Sequence, residues 1–391
     1  MGGAVRDALL DRLRPEPDLD FVVSGDAVAL CRQLSRRHGG SAVVLDAERS
    51  IARLVIHDWS IDLARQEGGS LGADLRRRDY TINAMALPLD QGDGLVDPLG
   101  GAAHLSDARL VAVSETNLLD DPLRLLRGLR LACELNFQLE PQTRQWIGQH
   151  HGALAGVAGE RVLAELEKLA AAGTGEQGLA DCLRLGLLLP WQPGRSATGT
   201  PTPEAWRALL SRLTPSQGEA LGLEADELSQ ALPLARLAAS LDAQSLRALR
   251  SSRRLQQRVE RLRHWQHQLI GPDGVLLAGQ LPEADRLRLQ LELEADLPAL
   301  LLGWQPEAAS TWLQRWRDPH DPLFHPRPLI DGASLQRELA LKASPQLGQL
   351  LQHLLQERAF GRIQSRSEAL IQAQLWLKSA HLRSEMGPRR D

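Results

Sequence analysis

MGGAVRDALLDRLRPEPDLDFVV, residues 1–23, decides how the rest of the chain is read. A glycine pair, Gly2 and Gly3, opens an apolar helix carrying Val5, Leu9, Leu10 and Leu13, and Pro15 and Pro17 end it. Asp18-Leu19-Asp20 then leads into the β-branched and aromatic run Phe21, Val22 and Val23. On a strand the two carboxylates share one face, because side chains alternate with period two. Acids that close repel unless a divalent cation sits between them. Hard oxygen ligands suit Mg²⁺, which usually binds one or two carboxylates together with substrate phosphates. Glycines let a ligand approach the backbone, and a helix N-terminus attracts phosphate. Taken alone, a DxD is more often an acidic surface turn, and Arg6-Asp7 reads equally well as a local salt bridge.

Outward from this stretch, residues 26–38 read as an amphipathic helix with Val28, Leu30, Cys31 and Leu34 on its apolar face. Residues 42–45 and 52–56 read as strands around a turn, and 59–64 as a third strand carrying Asp62 between Ile61 and Leu63. The segment SLGADLRRRDYTINAMA, residues 70–86, sets three arginines before an apolar helix. Residues 92–112 hold a short hairpin and a DPLGG turn and read as a loop leading onward. In DDPLRLLRGLR, residues 120–130, acids and a proline start a helix on which Arg124, Arg127 and Arg130 recur every three residues and share a face. By themselves these are a solvated helix end and a capped, solvated helix. Farther on, Glu160, Arg161, Glu165 and Lys168 read as structural pairs of the i,i+4 kind. Residues 190–203 read as a linker, and 387–391 as a frayed end.

The chain has 391 residues, enough for two to four domains, and a net charge of −4, which neither advertises nor excludes a nucleic-acid partner. Its basic residues are mostly arginine, suited to planar recognition of phosphate or base edges. The three cysteines are widely spaced, which speaks against zinc and disulfide frameworks. With no leader-like or long apolar run, the expectation is a cytoplasmic protein without a membrane partner. His57-Asp58 and His320-Asp321 lack the further ligands of an HD phosphohydrolase.

In order and wording these segments resemble the class II tRNA nucleotidyltransferases and bacterial poly(A) polymerases. The opening resembles that family's GG-x-VRD-x-LL…DxD. Residues 70–86 are similar to its SLEEDLRRRDFTINAMA, and residues 120–128 to its EDPLRxxRA, with Asp120 in place of the usual Glu. Residues 160–188 and, more loosely, 328–377 resemble its later helices.

The resemblance implies an α+β protein: a polymerase-β-like nucleotidyltransferase head (1–112), then an all-α neck (113–189), body (190–325) and tail (326–391). It implies Mg²⁺ held by Asp18 and Asp20, with Asp62 as a third active-site carboxylate. It places the triphosphate at Gly2, Gly3 and Arg6. It makes Asp121 and Arg124, helped by Arg78, a protein template for the incoming base, and leaves Arg127 and Arg130 to phosphate or to neck packing. The family also has a strand before its glycine pair, so a few apolar residues are expected ahead of Gly2.

The template chemistry follows from the bases. Cytosine and adenine each show an amino donor beside a ring acceptor, which a carboxylate and a guanidinium complement. Guanine and uracil reverse the pattern and leave buried groups unpaired, at roughly 1–3 kcal/mol each. Such a pair accepts CTP and ATP, and the resemblance implies tRNA as the other partner, met at its 3′ end and, by the tail, at its elbow. A tRNA backbone contact along the basic run 245–268, through Arg250, Arg254 and Arg258, stands against a plain solvated face.

In full CCA-adding members a flexible loop follows the third-carboxylate strand and helps the switch from C to A. Here that loop is missing between Asp62 and Arg78, which points to the CC-adding subgroup. A poly(A) polymerase and a non-catalytic RNA-binding relative remain as other readings. The sequence leaves the oligomeric state open.

Overall fold

The computed structural model describes residues 1–89, 94–192, 202–276 and 281–385. The chain divides into two compact units, one of residues 1–194 with 244–250, the other of the remainder.

The first unit opens with α1 (Gly3–Leu9), β1 (Leu19–Val23), α2 (Ala27–His38), β2 (Ser41–Asp46), β3 (Ile51–Ile56) and β4 (Trp59–Arg65). The strands form one sheet in the order β1-β4-β3-β2, with β1 parallel to β4 and the other pairs antiparallel. Asp26 starts α2 by accepting hydrogen bonds from the amides of Val28 and Ala29. The helix lays Ala27 and Cys31 against Ala52, Leu54 and Leu63, so one sheet face is covered. The alternate residues, including Asp20, Asp62 and Arg53, stand on the other face.

Two expectations are corrected. The first helix stops at Leu10, well before the prolines, and Leu9 and Leu13 are exposed, so its apolar face is shorter than the sequence suggests. The stretch after the three arginines is not an α-helix. Beyond α3 (Leu71–Leu75) the chain makes a 3₁₀ turn at Thr81–Asn83, and Tyr80 and Ala86 form bridges with Ala112 and Val96. Burial of Tyr80, Ile82, Ala84 and Met85 in an extended, bridged path outweighs helix propensity there. The DPLGG turn does more than connect: Asp97 accepts from the amides of Gly101 and Ala102 and so starts α4 (Gly101–Ser106).

The helical part of this unit follows as α5 (Glu115–Asp120), α6 (Leu123–Leu135), α7 (Pro141–Gln149), α8 (Gly159–Ala171) and α9 (Gly175–Arg184). Helix α6 is buried through Leu125, Leu126 and Leu129 and packs on α8 and α9. The expected linker lies largely outside the described residues, as does the expected frayed end.

The second unit is all-helical. Trp304, Trp312 and Phe324 stack at one core, and Ile330, Leu335, Leu350, Leu354, Ile363, Ala369 and Ala373 make another near the C-terminal end. Among the described residues no helix is long and apolar enough to cross a membrane.

Candidate active site

The β1–β4 register sets Asp20 directly beside Asp62, while Asp18 immediately precedes β1. Burial pushes the Asp20 carboxyl above the usual range. Arg78 opposes that rise, and Asp62 and Asp18 add to it. A patch of like charge in this state suits a divalent cation, and its all-carboxylate donor set fits a hard ion. Asp62, however, is turned onto Arg53 of β3, whose Nε and Nη2 donate to its two oxygens at 2.7 and 2.8 Å. Among the described residues no three acidic, His or Cys side chains form a metal-holding group.

Gly2 sits at φ 66° and ψ −133°, a region open to glycine alone. A Cβ there would stand 3.0 Å from Arg78 Nη1 and 3.4 Å from Asp20 Oδ2, so the glycine lets the backbone lie against both charges. Arg6 does form the local pair with Asp7, and also donates to Asn83 Oδ1 at 2.8 Å.

The residues expected to read the base are held from behind. Arg124 Nη1 donates to the carbonyls of Arg77 and Asn117 at 3.1 and 2.8 Å. Asn117 in turn donates to the carbonyls of Arg76 and Arg78, so one buried amide ties the three-arginine turn to the helix bearing Arg124. Tyr80, fully buried, donates to the Arg124 carbonyl at 2.7 Å. That approach is open because residue 128 is glycine: a Cβ there would collide with the Tyr80 hydroxyl. Asp121 accepts from Arg161 of α8 at 3.1 Å.

Arg127 and Arg130 point into the neck. Arg127 pairs with Asp79 at 3.3 Å, and Arg130 with buried Glu165 at 2.6 Å. Burial works against the Arg130 charge, yet Glu134 and Glu165 more than offset it and its pKa is raised. The expectation that Glu160, Arg161 and Glu165 pair within their own helix is corrected. Each pairs across elements, with Arg250, Asp121 and Arg130 respectively: Glu165 from the buried face of α8, and Glu160 and Arg161 from its exposed first turn, where residues of neighbouring segments come within reach.

Gly2, Gly3, Arg6, Asp20 and Arg78 from one side, and Asp121, Arg124, Arg127 and Arg130 from the other, line a single cavity of about 1110 Å³. Asp18 and Asp62 are not part of its lining. Neither are the three arginines of the basic run. Arg250 is paired with Glu160, and Arg258 grips Asp296 with a bidentate fork at 2.7–3.1 Å, a structural use of its charge. Arg254 is exposed. Sequence reasoning missed Asp79, Asn83 and Asn117. The first two lie inside the 70–86 signature and could have been weighed, whereas Asn117 binds only backbone carbonyls and leaves no pattern.

A strand-borne set of carboxylates beside a glycine-opened helix, facing an arginine-lined neck, defines a nucleotidyltransferase. Residues 1–111 match the Poly A polymerase head domain, and residues 136–197 the probable RNA and SrmB-binding site of polymerase A. The CC-adding tRNA nucleotidyltransferase of Synechocystis sp. is 34% identical over 96% of this chain and 92% of its own length. That of Thermus thermophilus is 33% identical over 94% and 91%. Among solved structures, the Thermotoga maritima CCA-adding enzyme complexed with tRNA shares the fold at TM-score 0.70, with 22% identity over 96% of this chain and 90% of that one. The chain belongs to the tRNA nucleotidyltransferase and poly(A) polymerase family, whose members are enzymes that generally use divalent metal ions.

Proposed function

We propose that the protein adds two CMP residues from CTP to the 3′ end of tRNA, releasing pyrophosphate, and works in the cytoplasm. The observation that carries the CC-only reading is the connector between β4 and α3, residues 66–70. Its first two residues are tied down: the Gln66 amide donates to the Val23 carbonyl at 2.8 Å and the Glu67 amide to Asp74 at 3.0 Å. Gly68 at φ 74° is packed so closely on Ala73 that a Cβ would lie 2.9 Å from it. Nothing remains there to act as the arm that helps other members turn to ATP. The relatives that match over more than nine-tenths of the chain at 33–34% identity are named CC-adding, while a CCA-adding enzyme of Lactobacillus delbrueckii matches at 28%.

In this reading Asp18 and Asp20, joined by Asp62, hold Mg²⁺. Two such ions, held by these carboxylates, would make the primer 3′-hydroxyl more acidic for attack on the α-phosphate and would offset charge on the departing pyrophosphate. Gly2 and Gly3 bring the α1 backbone up to the triphosphate, and Arg6 and Arg78 supply positive charge beside it. Asp121 accepts from the cytosine amino group and Arg124 donates to the ring nitrogen and carbonyl. The residue blocks 1–112, 113–189, 190–325 and 326–391 serve as head, neck, body and tail, with tRNA held by the last two.

Incubation of the protein with tRNA lacking its last three nucleotides, together with CTP and ATP, tests this directly. Products longer by two nucleotides are expected. Efficient addition of a terminal A would overturn the CC-only reading, and long A tracts on unstructured RNA would replace it with poly(A) synthesis.

A further inference from the structure

We propose that Arg53 is the resident counter-charge of the third carboxylate: it occupies Asp62 until a divalent cation is bound, and so sets how much cation the active site needs. The inference rests on the reading of Asp18, Asp20 and Asp62 as the metal-binding set.

The sheet register places it there. Arg53 is opposite Asp62, and Asp62 is opposite Asp20, so the three form a row across β3, β4 and β1 on the face that α2 leaves uncovered. The guanidinium meets both oxygens of Asp62, the bidentate geometry that makes such pairs strong and directional. Without Arg53, Asp62 would lie beside Asp20 with no fixed positive partner on their own sheet face. With it, Asp62 is engaged and cannot offer its oxygens to a cation.

Exposure separates this pair from a permanent one. The side chain of Arg53 is 46% exposed and that of Asp62 27%, whereas Arg130 and Glu165 are 14% and 7% exposed. Exposed pairs are held weakly and exchange readily with solvent, and buried ones do not. Arg53 can therefore release Asp62 into the site by swinging toward water, at the small cost that a partly solvated ion pair carries.

Mn²⁺ titrated into the full-length, cation-free protein, with the free ion followed by electron paramagnetic resonance, reads this out without turnover. Arg53→Met is expected to bind Mn²⁺ roughly fivefold more tightly than the parent, the scale of an exposed ion pair. It should also melt at lower temperature in EDTA and regain the difference with Mn²⁺. Arg53→Lys keeps the charge but loses the fork and should fall in between. Asp62→Asn should bind more weakly than the parent, and adding Arg53→Met to it should change nothing further. Affinity in folded Arg53→Met equal to or below that of the parent overturns the proposal. If that variant does not fold, unchanged affinity in Arg53→Lys overturns it. CMP addition by the parent protein, measured on the same preparations, keeps the two readings apart. Activity together with indifference to Arg53 sinks the counter-charge alone, and absence of activity sinks the functional reading whatever Arg53 does.

Discussion

The two walls of the cavity are built on opposite electrostatic plans. On the neck wall the four candidate residues each have a protein partner: Asp121 has Arg161, Arg127 has Asp79, Arg130 has Glu165, and Arg124 has two backbone carbonyls. On the head wall Asp20 is half-buried beside Arg78 without an ion pair of its own among the described residues, and its neighbour Asp62, outside the lining, is held by Arg53. The neck is therefore finished by the polypeptide, as a surface that must discriminate between bases needs to be, because selectivity comes from groups that cannot relax onto the wrong partner. The head instead keeps one half-buried carboxyl, Asp20, next to the carboxylate of Asp62, a local crowding of like charge that favours a cation at the expense of stability.

Four measurements break or sharpen that contrast. The largest effect is expected from Asp20→Asn in the transfer assay, where loss of a metal-binding carboxylate should lower CMP addition by on the order of 10³-fold. A loss of tenfold or less would mean that the head wall is not where the chemistry happens. Next is Glu165→Ala, which leaves Arg130 with Glu134 alone; urea unfolding should show a loss of about 2 kcal/mol, the scale of a hydrogen bond to a charged group. A negligible loss would mean that the neck charges are not fixed by one another. Third, Asp121→Asn turns an obligate acceptor into a group that can also donate. The ratio of kcat/KM for CTP over UTP should fall by roughly 10- to 100-fold, with overall stability little changed. An unchanged ratio would remove Asp121 from base reading.

The smallest effect has the opposite sign. The Asp20 pKa is raised in the folded protein, chiefly by burial, so the folded state holds its proton more tightly than the unfolded chain does. Its contribution to stability is then greatest below the ordinary carboxylate range and is lost as pH rises through the raised value. Asp20→Asn removes that penalty. In EDTA at neutral pH the inactive variant should melt roughly 2 °C higher than the parent, with the gap closing as pH falls into the carboxylate range. A lower melting temperature at neutral pH would show that Asp20 is structurally satisfied and that the head wall is not strained.

Much of the architecture was legible because it rests on local rules. The strands around Asp46–Arg49 and the helix after Asp26 follow from alternation and capping, and the structure extends each by only a residue or so. Residues 80–86 misled for a definite reason. Their apolar content suits a helix, but Ala86 bridges Val96 and Tyr80 is claimed by a bridge to Ala112, which lies beyond any local window around it. The same limit hid the partners of the arginines. Spacing by three shows that Arg124, Arg127 and Arg130 share a face, yet which of them finds a carbonyl and which a carboxylate depends on how α6 meets α8 and the 76–79 turn. Arg53 had no signal at all, being one basic residue on a strand until the register sets it beside Asp62.

The meeting of Tyr80 with Gly128 also says something about history. The family signature has Phe at the first position and Ala at the second, and this chain differs at both. A methyl on residue 128 would meet the Tyr80 hydroxyl head-on and lie 2.7 Å from ring carbon Cζ. Trimming alanine to glycine first leaves a small void, a cost of about 1 kcal/mol in a helix interior. Adding the hydroxyl first drives oxygen into a methyl group within a packed core, which is harder to survive. An ancestor bearing the signature pair had one passable order of steps, and a descendant returning to it must retrace them in reverse.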